Sequence, residues 1–302
     1  MLRNRKLILV VAAALAVTAL AAGAVSAATR TPAAAVPYRV HDVRDATSSN
    51  WAGYAVTSAD AAKKFTSVSG SWKQPAVTCD SGKSSTAFWV GLGGFKEGSS
   101  GLEQTGTEVD CAGGRPTYTA WYELVPSPSV NVDLPVRPGD TFNASVAVSG
   151  ENITFRLENA TVKKVFTKKV SMRSPSINSA EWVTEAPSAC VSHRYCHIME
   201  LAKFGTVTFT GARAATADTS GTITNPAWAR TVLTIGKPNE IVFPQLDVVR
   251  SFTEARPSAL SADGSSFSVT SSDVAPPSTP STLIPIPFPI PLPIPAPPPS
   301  GG

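Results

Sequence analysis

The sequence predicts an all-β fold, an antiparallel sandwich or barrel. Three observations predict it. Val, Thr, Ser, Phe and Trp dominate the middle of the chain. Short stretches of alternating apolar and polar residues recur there, separated by Gly, Asn, Asp or Pro. No stretch after the first 28 residues carries a long helical period with capping residues. Taken in order, the strand candidates are Trp51–Thr57, Phe65–Trp72, Ala87–Leu92, Tyr118–Leu124, Thr141–Val148, Asn152–Leu157, Val162–Val170, Gly205–Thr210, Thr231–Ile235 and Ser266–Thr270. Pro138-Gly139-Asp140, Ser149-Gly150-Glu151 and Glu158-Asn159-Ala160 are the turn signals between them. Alternation alone does not choose between sandwich and barrel.

The two ends read differently. Arg3, Arg5 and Lys6 precede an apolar run from Leu7 to Ala22, and Val25-Ser26-Ala27 fits a cleavage site, so residues 1–27 are expected to be a secretory signal. Residues 28–45 carry few strand signals and read as a propeptide or flexible arm. The folded domain is expected over 46–272. The tail, 273–302, holds 12 of the 26 prolines, and Ile284–Pro295 alternates proline with apolar residues. Proline lacks the N–H of a ladder, so this segment is expected to be polyproline II, a spacer or a contact to the cell wall. Taking the three signal cations from the formal +4 leaves +1 for the mature chain, with no nucleic-acid footprint. The expected location is extracellular, off the membrane after cleavage.

Four cysteines suit an oxidising exterior. Cys190 and Cys196 close a short loop and are expected to pair, which leaves Cys79 with Cys111. The rival is a zinc site of Cys190, His193, Cys196 and His197, but Cys196 and His197 are adjacent and the spacing fits no usual zinc motif. No metal and no cofactor is expected. The familiar hydrolytic motifs G-x-S-x-G and H-E-x-x-H do not occur. Only one Asp-Ser-Gly exists, at Asp80-Ser81-Gly82, where an aspartic dyad needs two aspartates. Glu103, Glu108, Glu123, Glu181 and Glu185 are the carboxylates available for acid–base work.

An ordered series of short motifs narrows the choice. Ser49-Asn50-Trp51-Ala52-Gly53-Tyr54 comes first, then Phe88-Trp89-Val90-Gly91-Leu92-Gly93-Gly94 and Leu102-Glu103-Gln104-Thr105-Gly106. Ala120-Trp121-Tyr122-Glu123 and Asn178-Ser179-Ala180-Glu181-Trp182-Val183 follow. In this order the series resembles the glutamic endopeptidases, the eqolisin family of secreted peptidases, over about Ser48 to Thr270. The resemblance implies a concanavalin-like sandwich of two large curved antiparallel sheets with substrate on the concave face. It implies a catalytic pair of Gln104 and Glu181, sharing one water across one sheet. Glu181 would take a proton from that water and pass it to the leaving amine, while Gln104 would donate to the developing oxyanion. Trp89 and Trp121 are implied substrate contacts, and Glu123 would tune Glu181 or hold the substrate backbone. Protein or peptide substrates follow.

The chain departs from the fungal members at Gly93 and Thr119, where they carry aspartates, and at Leu124, where they carry tryptophan. Fewer acids near the pair imply work at a less acidic pH. A second class of function, a non-catalytic sandwich binding peptide or carbohydrate on an aromatic concave face, would keep the tryptophans without a catalytic carboxylate.

Overall fold

The computed structural model describes residues 43–95, 99, 101–192, 195–236 and 252–274. In chain order its strands are β1 Val43–Ser48, β2 Trp51–Ser58, β3 Phe65–Lys73, β4 Ser84–Gly93, β5 Leu102–Ala112, β6 Arg115–Val125, β7 Val130–Val132, β8 Thr141–Ser149, β9 Asn152–Asn159 and β10 Lys164–Ser171. They continue with β11 Ser179–Glu185, β12 Ser188–Ser192, β13 Tyr195–Ile198, β14 Glu200–Leu201, β15 Thr206–Thr216, β16 Ser220–Gly221, β17 Trp228–Ile235, β18 Phe252–Pro257 and β19 Phe267–Val274. Among the described residues there is no helix.

The strands form the two layers of a sandwich. One layer runs β1-β17-β2-β11-β4-β5-β6-β7. The other runs β10-β9-β8-β3-β15-β19-β18. A single pairing, Ile235 with Ala255, joins them. All these pairs are antiparallel except β1 with β17. The short β14 adds a second parallel pairing, to β4.

The residues dictate which face turns inward. Along β8 and β9 every second residue is buried (Phe142, Ala144, Val146, Val148; Ile153, Phe155, Leu157), the period of a half-buried strand. Their hairpin turns through Gly150 at φ 59°, a conformation that costs glycine least. In the first layer Ala52, Tyr54, Val56, Phe88, Val90, Leu92, Ala180 and Trp182 join the main core between the sheets. Their odd-numbered neighbours point the other way. Ala87, Trp89, Leu102, Trp121 and Val183 form a second apolar cluster on the outward face.

The disulfide Cys79–Cys111 is present, with Cα atoms 5.4 Å apart. Cys190 and Cys196 lie opposite each other across the β12–β13 hairpin; their side chains are outside the described residues. Among the described residues no group of three metal-ligating side chains occurs. The expected arm is shorter than its 28–45 bounds, because Val43–Asp45 already pair with Arg230–Val232. Side-chain alternation could not reveal that edge strand, since its residues are mostly exposed. The signal, the rest of the arm and the proline tail lie outside the described residues.

Candidate active site

Five adjacent strands build the outward face, and their register sets three cross-strand rows. The first row is Ala55, Glu181, Gly91, Gln104 and Glu123. The second is Gly53, Val183, Trp89, Gly106 and Trp121, and the third is Trp51, Glu185, Ala87, Glu108 and Thr119. Bulky and tiny residues alternate across the second row for a reason. A Cβ on Gly106 would run into the Phe88 carbonyl oxygen and come within 2.6 Å of Trp89 Cβ. Glycine there lets two indoles stand on neighbouring strands with the ladder intact.

A cavity of about 540 Å³ opens over these rows. Asn50, Trp51, Ala87, Gln104, Glu108, Trp121, Glu123 and Glu185 line it, with Gly94, Ser99, Gly101 and Leu102 among the rim residues. Gln104 is 4% exposed; its Nε2 donates to Glu123 Oε2 at 2.6 Å, while its Oε1 finds no partner among the described residues. Trp121 is also buried, and its Nε1–H is likewise unpartnered. Buried polar atoms are normally satisfied, so two orphans on one cavity wall mark places for a ligand or water.

Glu185 is the best-held carboxylate in the cavity. Its Oε2 accepts from Trp89 Nε1 at 2.8 Å and its Oε1 from Asn50 Nδ2 at 3.0 Å. Trp51 packs edge-on against Trp89 with ring centroids 5.0 Å apart, fixing the indole that makes the first bond. Burial pushes the Glu185 carboxyl up to about 8, against the pull of the two indole N–H groups. The nearby Glu123 and Glu108 charges add to the rise. Glu108, held by Ser85 Oγ at 3.1 Å, is pushed up to about 7 by burial and by Asp110. Burial raises Glu123 too, and the Gln104 amide opposes it.

Glu181 stands in the same row as Gln104 with only Gly91 between them, so the two side chains share one face of the sheet, two strands or roughly 10 Å apart. Glu181 is buried, and neither of its oxygens has a hydrogen-bond partner among the described residues. Its oxygens and Gln104 Oε1 thus mark one place for water. Burial drives the Glu181 carboxyl well above the usual range, opposed by the Ser179 hydroxyl. Trp89 is buried and donates its Nε1–H to Glu185 from beneath. Glu123 accepts from Gln104.

Glu185 is the residue that sequence reasoning passed over as a mere available acid. Residues 181 and 185 share one face of a period-two strand, so alternation cannot separate them. The usable signal lay in the Asn50-Trp51 motif. Trp51 is the ladder partner of Glu185, and Asn50 reaches the same carboxylate.

The comparisons with known proteins agree with this architecture. Residues 49–248 match the family described as the Peptidase A4 family. No curated protein matches the sequence. Among solved structures the chain is similar to scytalido-glutamic peptidase, crystallised with a peptide-based transition state analog. Identity is 23% and the TM-score 0.59, over 74% of this chain and 98% of that one. It is also similar to SCP-B, a member of the eqolisin family of peptidases, in a complex with the tripeptide Ala-Ile-His. Here identity is 22% and the TM-score 0.56, over the same shares of the two chains. At these identities the likeness is one of fold.

Proposed function

The chain belongs to the Peptidase A4 family and is a peptidase, and from that premise we propose that it hydrolyses peptide bonds through Gln104 and Glu181, without a covalent intermediate. One observation carries the reading. Gln104 and Glu181 stand in one cross-strand row with only Gly91 between them, and both carry buried oxygens without a partner among the described residues.

In this mechanism ionised Glu181 takes a proton from a water held between it and Gln104, and the water oxygen attacks the substrate carbonyl carbon. The C=O π electrons move onto oxygen. An N–H of Gln104 donates to that oxyanion; one of its two amide hydrogens is spent on Glu123, and the other serves the purpose. The tetrahedral adduct collapses, the C–N bond breaks, and protonated Glu181 returns its proton to the leaving nitrogen. The carboxylate is thereby restored. Gly91, which puts no side chain between the two, leaves room for that water.

The substrates are proteins or peptides, and the chain acts outside the cell. Supporting export are the cationic and apolar start of the chain and the Cys79–Cys111 bridge, a bond that persists in oxidising compartments. The test is mass mapping of peptides released from casein between pH 3 and pH 9. Defined internal cleavages are expected. Intact substrate across the whole range, with a folded protein, overturns the reading in favour of a binding sandwich.

A further inference from the structure

The cavity has a carboxylate that the hydrolysis does not use. Of its three charged lining residues, Glu185 is held by Trp89 and Asn50 and Glu123 is tied to Gln104, which leaves Glu108. Among the described residues no lysine or arginine lines the cavity, and the ion pairs involve none of these three acids. Ser85 Oγ fixes Glu108 from the neighbouring strand. Across the third row only the methyl of Ala87 separates Glu108 from Glu185, so the two acids stand two strands, roughly 10 Å, apart. The floor between them is small and apolar. A substrate side chain fits above it with its tip at Glu108.

A second, independent feature supplies the orientation. The orphaned Trp121 Nε1–H and Gln104 Oε1 are one donor and one acceptor on the same wall, both buried. They match the C=O and N–H of an extended peptide backbone. A substrate so held keeps its main chain on the wall of Trp121 and Gln104 and turns a side chain over Ala87.

We propose that Glu108 is a specificity-determining residue that selects a lysine or arginine side chain of the substrate segment lying along the cavity. The inference rests on the peptidase reading. A partly buried carboxylate beside Asp110 and Glu123 has no counter-charge among the described residues, and an ammonium or guanidinium from the substrate supplies one. The groups facing Glu108 are Asp110 on its own strand, Glu185 on β11 and Glu123 on β6, all acids, so each favours the same sign of ligand.

The experiment compares peptides carrying Lys with peptides carrying norleucine, the same chain length without the charge, at each position of the peptide. Each enzyme is read as its own ratio of kcat/KM, which cancels any general loss of activity. At pH 8 the wild type is expected to favour Lys about tenfold at one position. The preference should shrink toward one as pH falls below about 6 and Glu108 takes up a proton. In Glu108→Gln the ratio should stay near one at every pH. Should that variant misfold, the pH dependence of the wild-type ratio decides alone. A ratio near one at all positions at pH 8, or one unchanged in Glu108→Gln, overturns the proposal. If neither series is cut, the peptidase reading falls. The Lys-to-norleucine ratio of Kd for the same peptides, by calorimetry, then decides for or against Glu108.

Discussion

Replacing Glu181 and Glu185 by glutamine, one at a time, separates two carboxylates that lie four positions apart on one strand. In Glu181→Gln the side chain keeps its volume but cannot accept the water's proton. Loss of a positioned base costs about 10²–10⁴ in rate, or about 3–5 kcal/mol in the barrier. Neither Glu181 oxygen has a partner among the described residues, so the exchange changes stability by about 1–2 kcal/mol and leaves a folded protein. In Glu185→Gln the amide keeps only one oxygen for two donors, Trp89 Nε1 and Asn50 Nδ2, so one N–H is left facing an NH₂. That costs about 1–3 kcal/mol of stability, with kcat/KM expected within about tenfold of wild type. Initial rates on a quenched peptide, alongside urea unfolding of all three proteins, measure both quantities. If a folded Glu181→Gln keeps a tenth of the activity, or Glu185→Gln loses as much as Glu181→Gln, the assignment of the base to Glu181 is wrong.

Other outcomes follow from the same geometry. Gln104→Ala should lower kcat by about 10²–10³, the cost of one oxyanion donor, and an unchanged kcat in a folded variant would remove Gln104 from the mechanism. Because Glu181 must be ionised and burial raises its carboxyl well above the usual range, kcat/KM should climb with pH; a rising limb centred below pH 5 contradicts it. Glu103, wholly buried with Oε1 on the Ser176 N–H, is raised from 4.5 to about 7 chiefly by burial. The folded state therefore holds this proton more tightly than the unfolded chain, so its contribution is full below pH 4.5 and lost as pH rises through 7. That amounts to about 3 kcal/mol over the window. Urea unfolding at pH 5 and pH 8 should show that much less pH dependence in Glu103→Gln than in wild type. Gly106→Ala forces a methyl against Phe88 and Trp89 and should cost about 3 kcal/mol or more; a loss under 1 kcal/mol would mean the two strands part more easily than their packing indicates.

Much of this was legible in the residues. β8 and β9 announce themselves because one face is apolar and the other polar, and Gly150 marks their turn. The strand carrying Gln104 did not. Over Leu102–Thr107 β5 is buried on both faces, and Glu103, Gln104, Thr105 and Thr107 are among those buried residues, so neither alternation nor hydrophobicity flags it. β11 is hidden for a similar reason, with Glu181 and Thr184 enclosed beside Trp182 and Val183. The anchoring of Glu185 was out of reach. It depends on Trp89, 96 residues from Glu185 in sequence, and on Asn50, 135 residues away. Only the tertiary neighbourhood brings those donors to the carboxylate.

The placement of β11 between β2 and β4 has a further consequence. The strands that supply Asn50, Trp89 and Gln104 are all synthesised early, but β2 and β4 cannot become neighbours of a finished wall until a segment from much later in the chain slips between them. A nascent polypeptide shorter than about 185 residues thus has its amide but neither the acid nor the continuous floor beneath it. Latency is written into the order of the strands: a protein able to digest its own surroundings stays harmless until most of it has been made.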